Sequence, residues 1–89
     1  MSLDETMTAE AVDAMSFDLQ LDTRGLMCPL PLLRLKKGLQ TLVSGQIVCV
    51  LATDPASVLD FGVFVEQTGH ELLQRQEAEG VFLYWIRKG

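Results

Sequence analysis

Phe17-Asp18-Leu19-Gln20-Leu21-Asp22-Thr23-Arg24-Gly25-Leu26-Met27-Cys28-Pro29-Leu30-Pro31 changes its hydrophobic period partway along, and that change decides the fold. Phe17, Leu19 and Leu21 alternate with Asp18, Gln20 and Asp22, the period of a half-buried strand. Arg24-Gly25 turns the chain. Beyond Pro29, Leu32, Leu35, Leu39 and Leu42 recur at helical spacing, with Arg34, Lys37 and Gln40 largely on the other side. A helix from Pro29 to about Leu42 is expected, closed by Ser44-Gly45. Proline suits a first helical turn, where its missing N–H would have had no partner. Cys28 is then the expected N-cap.

Outward from that stretch, Gln46 to Ala52 is apolar on both faces and β-branched, which predicts a central strand. Thr53 or Asp54 is expected to cap a second helix with Pro55 at its first position, a stripe of Val58, Phe61, Phe64, Val65 and Thr68, and Gly69 at its end. His70 to Gln76 reads as a third strand, Glu77 to Gly80 as a turn and Val81 to Arg87 as a fourth strand. The order β-α-β-α-β-β makes an α/β (α+β) two-layer sandwich, a mixed four-stranded sheet with two helices on one face. Residues 17–89 form one domain on this reading. Residues 1–16 read as a flexible acidic N-terminal tail.

Two helices cover one side of such a sheet. Phe82, Tyr84 and Ile86 alternate with Val81, Leu83 and Trp85, so one of these sets is expected to be exposed. A bare apolar face would favour a weak homodimer or a partner surface, although scattered apolar residues are also tolerated at surfaces.

The 89 residues suffice for a single modest core. No apolar run approaches the roughly 20 residues of a membrane span, and no secretory leader pattern is present, so no membrane association is expected. The two cysteines form no C-x-x-C pair, against a disulfide scaffold, a dithiol or a structural zinc site. A cytoplasmic location is expected. Net charge is −5, but four of the twelve acids lie in residues 1–15. Between Asp22 and Asp54 there is no acid, while Arg24, Arg34, Lys36 and Lys37 fall there. Overall acidity, without interleaved aromatic and basic residues, argues against direct nucleic-acid binding.

The residues around Cys28 point to a reactive sulfur. A cysteine at a helix N-terminus in a locally cationic segment is expected to favour thiolate. Arg24 is the nearest basic residue in sequence, able to stabilise a sulfur anion or simply to solvate the loop. Cys49, mid-strand between Val48 and Val50, is expected to be buried and quiet.

Leu21 to Pro31, followed by Leu35-Lys36-Lys37, resembles the signature of the small bacterial sulfur carriers of the TusA/SirA/YedF type, marked by Cys-Pro-x-Pro at the start of the first helix. Asp54-Pro55-Ala56-Ser57 with Asp60 and Phe64, and Thr68-Gly69-His70-Glu71-Leu72, resemble that family's downstream blocks. The likeness runs from Phe17 to Lys88. It implies a persulfide on Cys28, with Pro29, Pro31, Arg24 and Gly25 supporting it. It also implies a sulfur-donor protein, such as a cysteine desulfurase or a rhodanese, and a downstream acceptor protein. Leu30 and Met27 stand where the tRNA-thiolating members carry an acidic and a charged residue, a departure that points to another acceptor.

The remaining polar residues are expected to be structural. His70, the sole histidine, follows Gly69 at a helix-to-strand turn and reads as a hydrogen-bonding residue. Asp54 reads as a helix cap and Asp60 as a charge favoured by the helix dipole. With no third ligand spaced to join them, no metal is expected, and no cofactor either. Lacking a base for Cys28, the domain is expected to be a carrier rather than a self-sufficient transferase. The competing reading is a non-catalytic regulatory or protein-binding module that uses the open sheet face.

Overall fold

The computed structural model describes residues 16–89, and the expectation of an acidic tail falls almost wholly outside them. The elements are β1 (Leu19–Thr23), α1 (Leu30–Gln40), β2 (Ile47–Ala52), α2 (Ala56–Thr68), β3 (Glu71–Ala78) and β4 (Val81–Arg87). The sheet order is β1-β2-β4-β3. β1 and β2 are parallel neighbours joined through α1, while β4 runs antiparallel to both β2 and β3. The two-layer β-α-β-α-β-β architecture is therefore the one the sequence predicts.

The side chains facing the helices explain the arrangement. Val48, Val50 and Ala52 of β2 and Phe82, Tyr84 and Ile86 of β4 form one buried layer. Leu35 and Leu39 of α1, Leu42 beyond it, and Phe61 and Val65 of α2 form the other. Phe61 meets the Tyr84 ring edge-on at a centroid separation of 4.6 Å, a favourable aromatic geometry. α1 approaches β1 through Gly38, where an added Cβ would lie 2.7 Å from a Leu21 methyl carbon.

Several boundaries differ from the expectation. Pro29, not Cys28, is the N-cap of α1, without a side-chain capping bond, and Pro31 lies in the first turn. Cys28 is thus one residue before the N-cap. α1 stops at Gln40, because Thr41 and Leu42 donate their N–H groups to the carbonyls of Gly38 and Leu39 in a tightened last turn. Gly45, at φ 91°, serves the turn into β2 instead. Pro55 is likewise the N-cap of α2 rather than its first residue. β3 continues to Ala78, and the turn is only Glu79-Gly80, both with positive φ. That two-residue turn matches the twist of the strands it joins.

The second sheet face also differs. Trp85 and Cys49, register partners in β4 and β2, are each only 3% exposed, while Ile47, Leu51, Val81 and Leu83 are half-buried. Gln20 and Gln74 stand at the same register on the outer strands, so Trp85 and Cys49 lie in the middle of a row across the sheet. Opposed residues share a face at close spacing, so central positions are the most shielded. The most exposed apolar side chains lie elsewhere, on and around the helices.

Candidate functional site around Cys28

Two loops leave the same end of the sheet because β1 and β2 are adjacent and parallel. One is the segment from Arg24 to Pro29. The other runs from Thr53 to Pro55. In open α/β sheets such an end is where functional groups collect.

Each loop is built to hold the other. Thr23, fully buried, donates its hydroxyl to the Leu51 carbonyl and anchors the end of β1 to β2. Leu26 N–H closes a turn on the Thr23 carbonyl at 3.1 Å, with Gly25 at φ 81°. That left-handed conformation favours glycine. The Gly25 N–H donates to Thr53 Oγ1 at 2.9 Å. The Cys28 N–H donates to Asp54 Oδ2 at 2.6 Å, and Asp54 Oδ1 accepts the Ala56 N–H at 3.1 Å. One carboxylate thereby ties the cysteine loop to the start of α2. Asp54 is not the N-cap expected of it, that position being Pro55, but its carboxylate still takes the N–H of the first helical residue.

The Cys28 side chain is exposed, and its thiol donates to Asp60 Oδ2 at 3.3 Å. This overturns the expectation of a thiolate. Asp60's hydrogen bond, partial loss of water, and the charges of Asp60 and Asp54 push the thiol up from the ordinary cysteine value. Both acids approach from more than 25 positions downstream. Two of the segment's four basic residues have other partners. Arg24 is bound in bidentate fashion by Asp22 at 2.8 and 2.7 Å, and the Lys36 ammonium lies 5.7 Å from the Phe64 ring centre.

Pro29 and Pro31 open α1 beneath the cysteine, with Pro29 exposed and Pro31 buried. Met27 in the cysteine loop and Leu59 next to Asp60 in sequence are each 71% exposed, and Leu30, Leu33 and Val63 are further exposed apolar residues of the two helices. A shallow groove of about 240 Å³ between α1 and α2 has Asp60 in its wall, together with Leu32, Leu59, Val63 and Phe64.

The other candidates lie apart. Cys49 is a free, buried thiol that burial pushes up. His70 follows the far end of α2, about 20 Å from its start for a helix of this length, and its Nδ1 accepts the Gly89 N–H at 3.0 Å. Among the described residues no group of three or more His, Cys, Asp or Glu is placed to hold a metal ion. Asp60, Thr53 and Ser57 are the residues that reading along the chain undervalues. Asp60 carries a usable signal: it borders the buried stripe at Phe61 and Phe64, so it faces α1 rather than open solvent.

Comparison with known proteins shows the family and the fold. Residues 19–88 match the family described as Sulfurtransferase TusA. The sulfur carrier protein TusA of Allochromatium vinosum is 53% identical over 72 residues, covering 81% of this chain and 95% of that protein. Its counterpart in Pseudomonas putida is 48% identical over 71 residues, covering 80% and 89%. The crystal structure of a SirA-like protein from Desulfitobacterium hafniense superposes with a TM-score of 0.72 at 30% identity, covering 81% of this chain and 99% of that one. With its cysteine loop, helices and sheet all inside the matched region, the chain belongs to the TusA sulfurtransferase family.

Proposed function

We propose that this protein is a sulfur carrier that accepts sulfur as a persulfide on Cys28 and relays it to a thiol of a downstream protein. The observation that carries this reading is the placement of one accessible thiol on a loop clamped from behind by Thr53 and Asp54. In loading, Cys28 Sγ attacks the terminal sulfur of a donor persulfide, the donor's S–S bond breaks, and the donor leaves as a thiol. Delivery repeats the exchange, with Cys28 as the leaving thiol. Each step moves one sulfur atom and consumes no external oxidant or reductant, following the chemistry of thiol–disulfide exchange. The donor is a protein such as a cysteine desulfurase or a rhodanese, and Met27, Leu30, Leu33, Leu59 and Val63 supply the apolar area on which it and the acceptor dock.

Two free thiols suit a reducing compartment, and we place the protein in the cytoplasm. No helix among the described residues is long and apolar enough to cross a membrane. The regulatory-module alternative loses its support, because the family match favours sulfur relay and Trp85, on the supposedly open face, is buried.

The test is a relay with radiolabelled sulfur. A desulfurase and labelled cysteine load the protein, which is then separated and mixed with an acceptor protein bearing a free thiol. Label that is bound reductively labile and moves to the acceptor supports the reading. If desulfurase, polysulfide and thiosulfate with a rhodanese all leave the protein unlabelled, the reading is wrong.

A further inference from the structure

Among the described residues, Asp60 is the ionisable side chain hydrogen-bonded to the Cys28 sulfur. It lies on α2, while the cysteine lies before α1, so their meeting depends on the tertiary fold rather than on local sequence. A structural role for this contact is weak on chemical grounds, because a thiol is a poor hydrogen-bond donor. A carboxylate placed on it instead acts on the sulfur's charge.

We propose that Asp60 is the residue that governs the reactivity of Cys28, its carboxylate holding the proton on the thiol in the free carrier. This deepens the sulfur-carrier reading by assigning regulation to the same site. The groups acting on the sulfur come from each flank. From α2 and the loop before it come Asp60 and Asp54, both raising the cost of a negative sulfur. On the α1 side Pro29, Leu30 and Pro31 carry no charge; the nearest cation along that helix is Arg34, and Lys36 beyond it lies over Phe64. Within the loop, Arg24 is neutralised by Asp22.

The consequence is a sulfur that is exposed yet restrained. Alkylation and oxidation of cysteine both proceed through the thiolate. Holding the proton keeps Cys28 from small electrophiles and oxidants until the site is altered by a docked partner. The same contact raises the basicity of the anion once formed, and a more basic thiolate is intrinsically the stronger nucleophile.

The test is the pH dependence of Cys28 alkylation by iodoacetamide, followed by peptide mass spectrometry from about pH 6 to about pH 10, the range that brackets cysteine ionisation. Asp60→Asn keeps the shape and a hydrogen-bond acceptor but removes the charge. Its midpoint should fall, with the alkylation rate near neutrality rising roughly twofold to threefold, as a shift of half to one pH unit gives once the weaker nucleophilicity of a less basic thiolate is included. Asp60→Glu, which keeps the charge, should stay nearer the unsubstituted protein. Superimposable profiles for Asp60→Asn and the unsubstituted protein overturn the proposal. An unsubstituted Cys28 midpoint below about 8.5, the ordinary cysteine value, overturns it without any variant. Iodoacetamide needs no sulfur donor, so this result is independent of whether Cys28 accepts a persulfide.

Discussion

Asp54 receives the backbone N–H of Cys28 at 2.6 Å, joining the residues that precede the N-caps of α1 and α2. The sulfur's position is therefore fixed by a contact between loops that are 26 residues apart in sequence. Asp54→Ala leaves both the Cys28 and Ala56 N–H groups to water. A loss of about 1 kcal/mol is expected, the order of a side-chain hydrogen bond to a backbone N–H at a helix start. Amide exchange at Cys28 should accelerate more than exchange in β2, read by hydrogen-exchange NMR.

Asp22 titrates at about 2, held down chiefly by the side-chain hydrogen bonds of Arg24 and then by its backbone N–H. A carboxyl depressed in the folded state stabilises the fold above its unfolded value, about 3.9. That contribution fades as the pH falls through about 2. In Arg24→Gln the Asp22 midpoint should return most of the way to the unfolded value, measured by carboxyl chemical shift.

Ser57 and Tyr84 share a buried hydrogen bond of 2.7 Å beneath the start of α2. Tyr84→Phe strips the Ser57 hydroxyl of this partner in a dry site. Destabilisation of about 1–2 kcal/mol is expected from leaving a buried polar group unpaired, read as a lower denaturation midpoint with an unchanged slope.

Met27→Glu and Leu59→Glu place charge at exposed apolar positions while leaving the core intact. Stability should change by no more than about 0.5 kcal/mol, as for most exposed positions. Sulfur loading from a protein donor should fall about tenfold, equivalent to about 1.4 kcal/mol of lost interface energy. Loading from polysulfide, which needs no docking surface, should stay the same.

What is legible in the sequence follows from which signals are local. The change of period between Phe17 and Leu42 reveals the β1-α1 unit, and the apolar run Ile47 to Leu51 marks a central strand. Only the last two residues of β3 are not legible, because Glu77 and Ala78 lie exposed on an edge strand and lack a buried face to impose alternation. The cysteine itself is legible from its loop, its prolines and its family signature. Its charge state is not. Reading along the chain surrounds Cys28 with Arg24, Arg34, Lys36 and Lys37, whereas folding turns Arg24 and Lys36 to other partners and brings in Asp54 and Asp60. Electrostatics at a site where two loops meet belongs to tertiary structure, which a linear charge count does not represent.

The central claim is that Cys28 carries the sulfur, and intact-mass measurement after incubation with a cysteine desulfurase and cysteine tests it most directly. The unsubstituted protein and Cys49→Ala should each gain one sulfur atom that a reductant removes, while Cys28→Ala gains none. A reductant-labile sulfur on Cys28→Ala, lost instead in Cys49→Ala, would contradict the account.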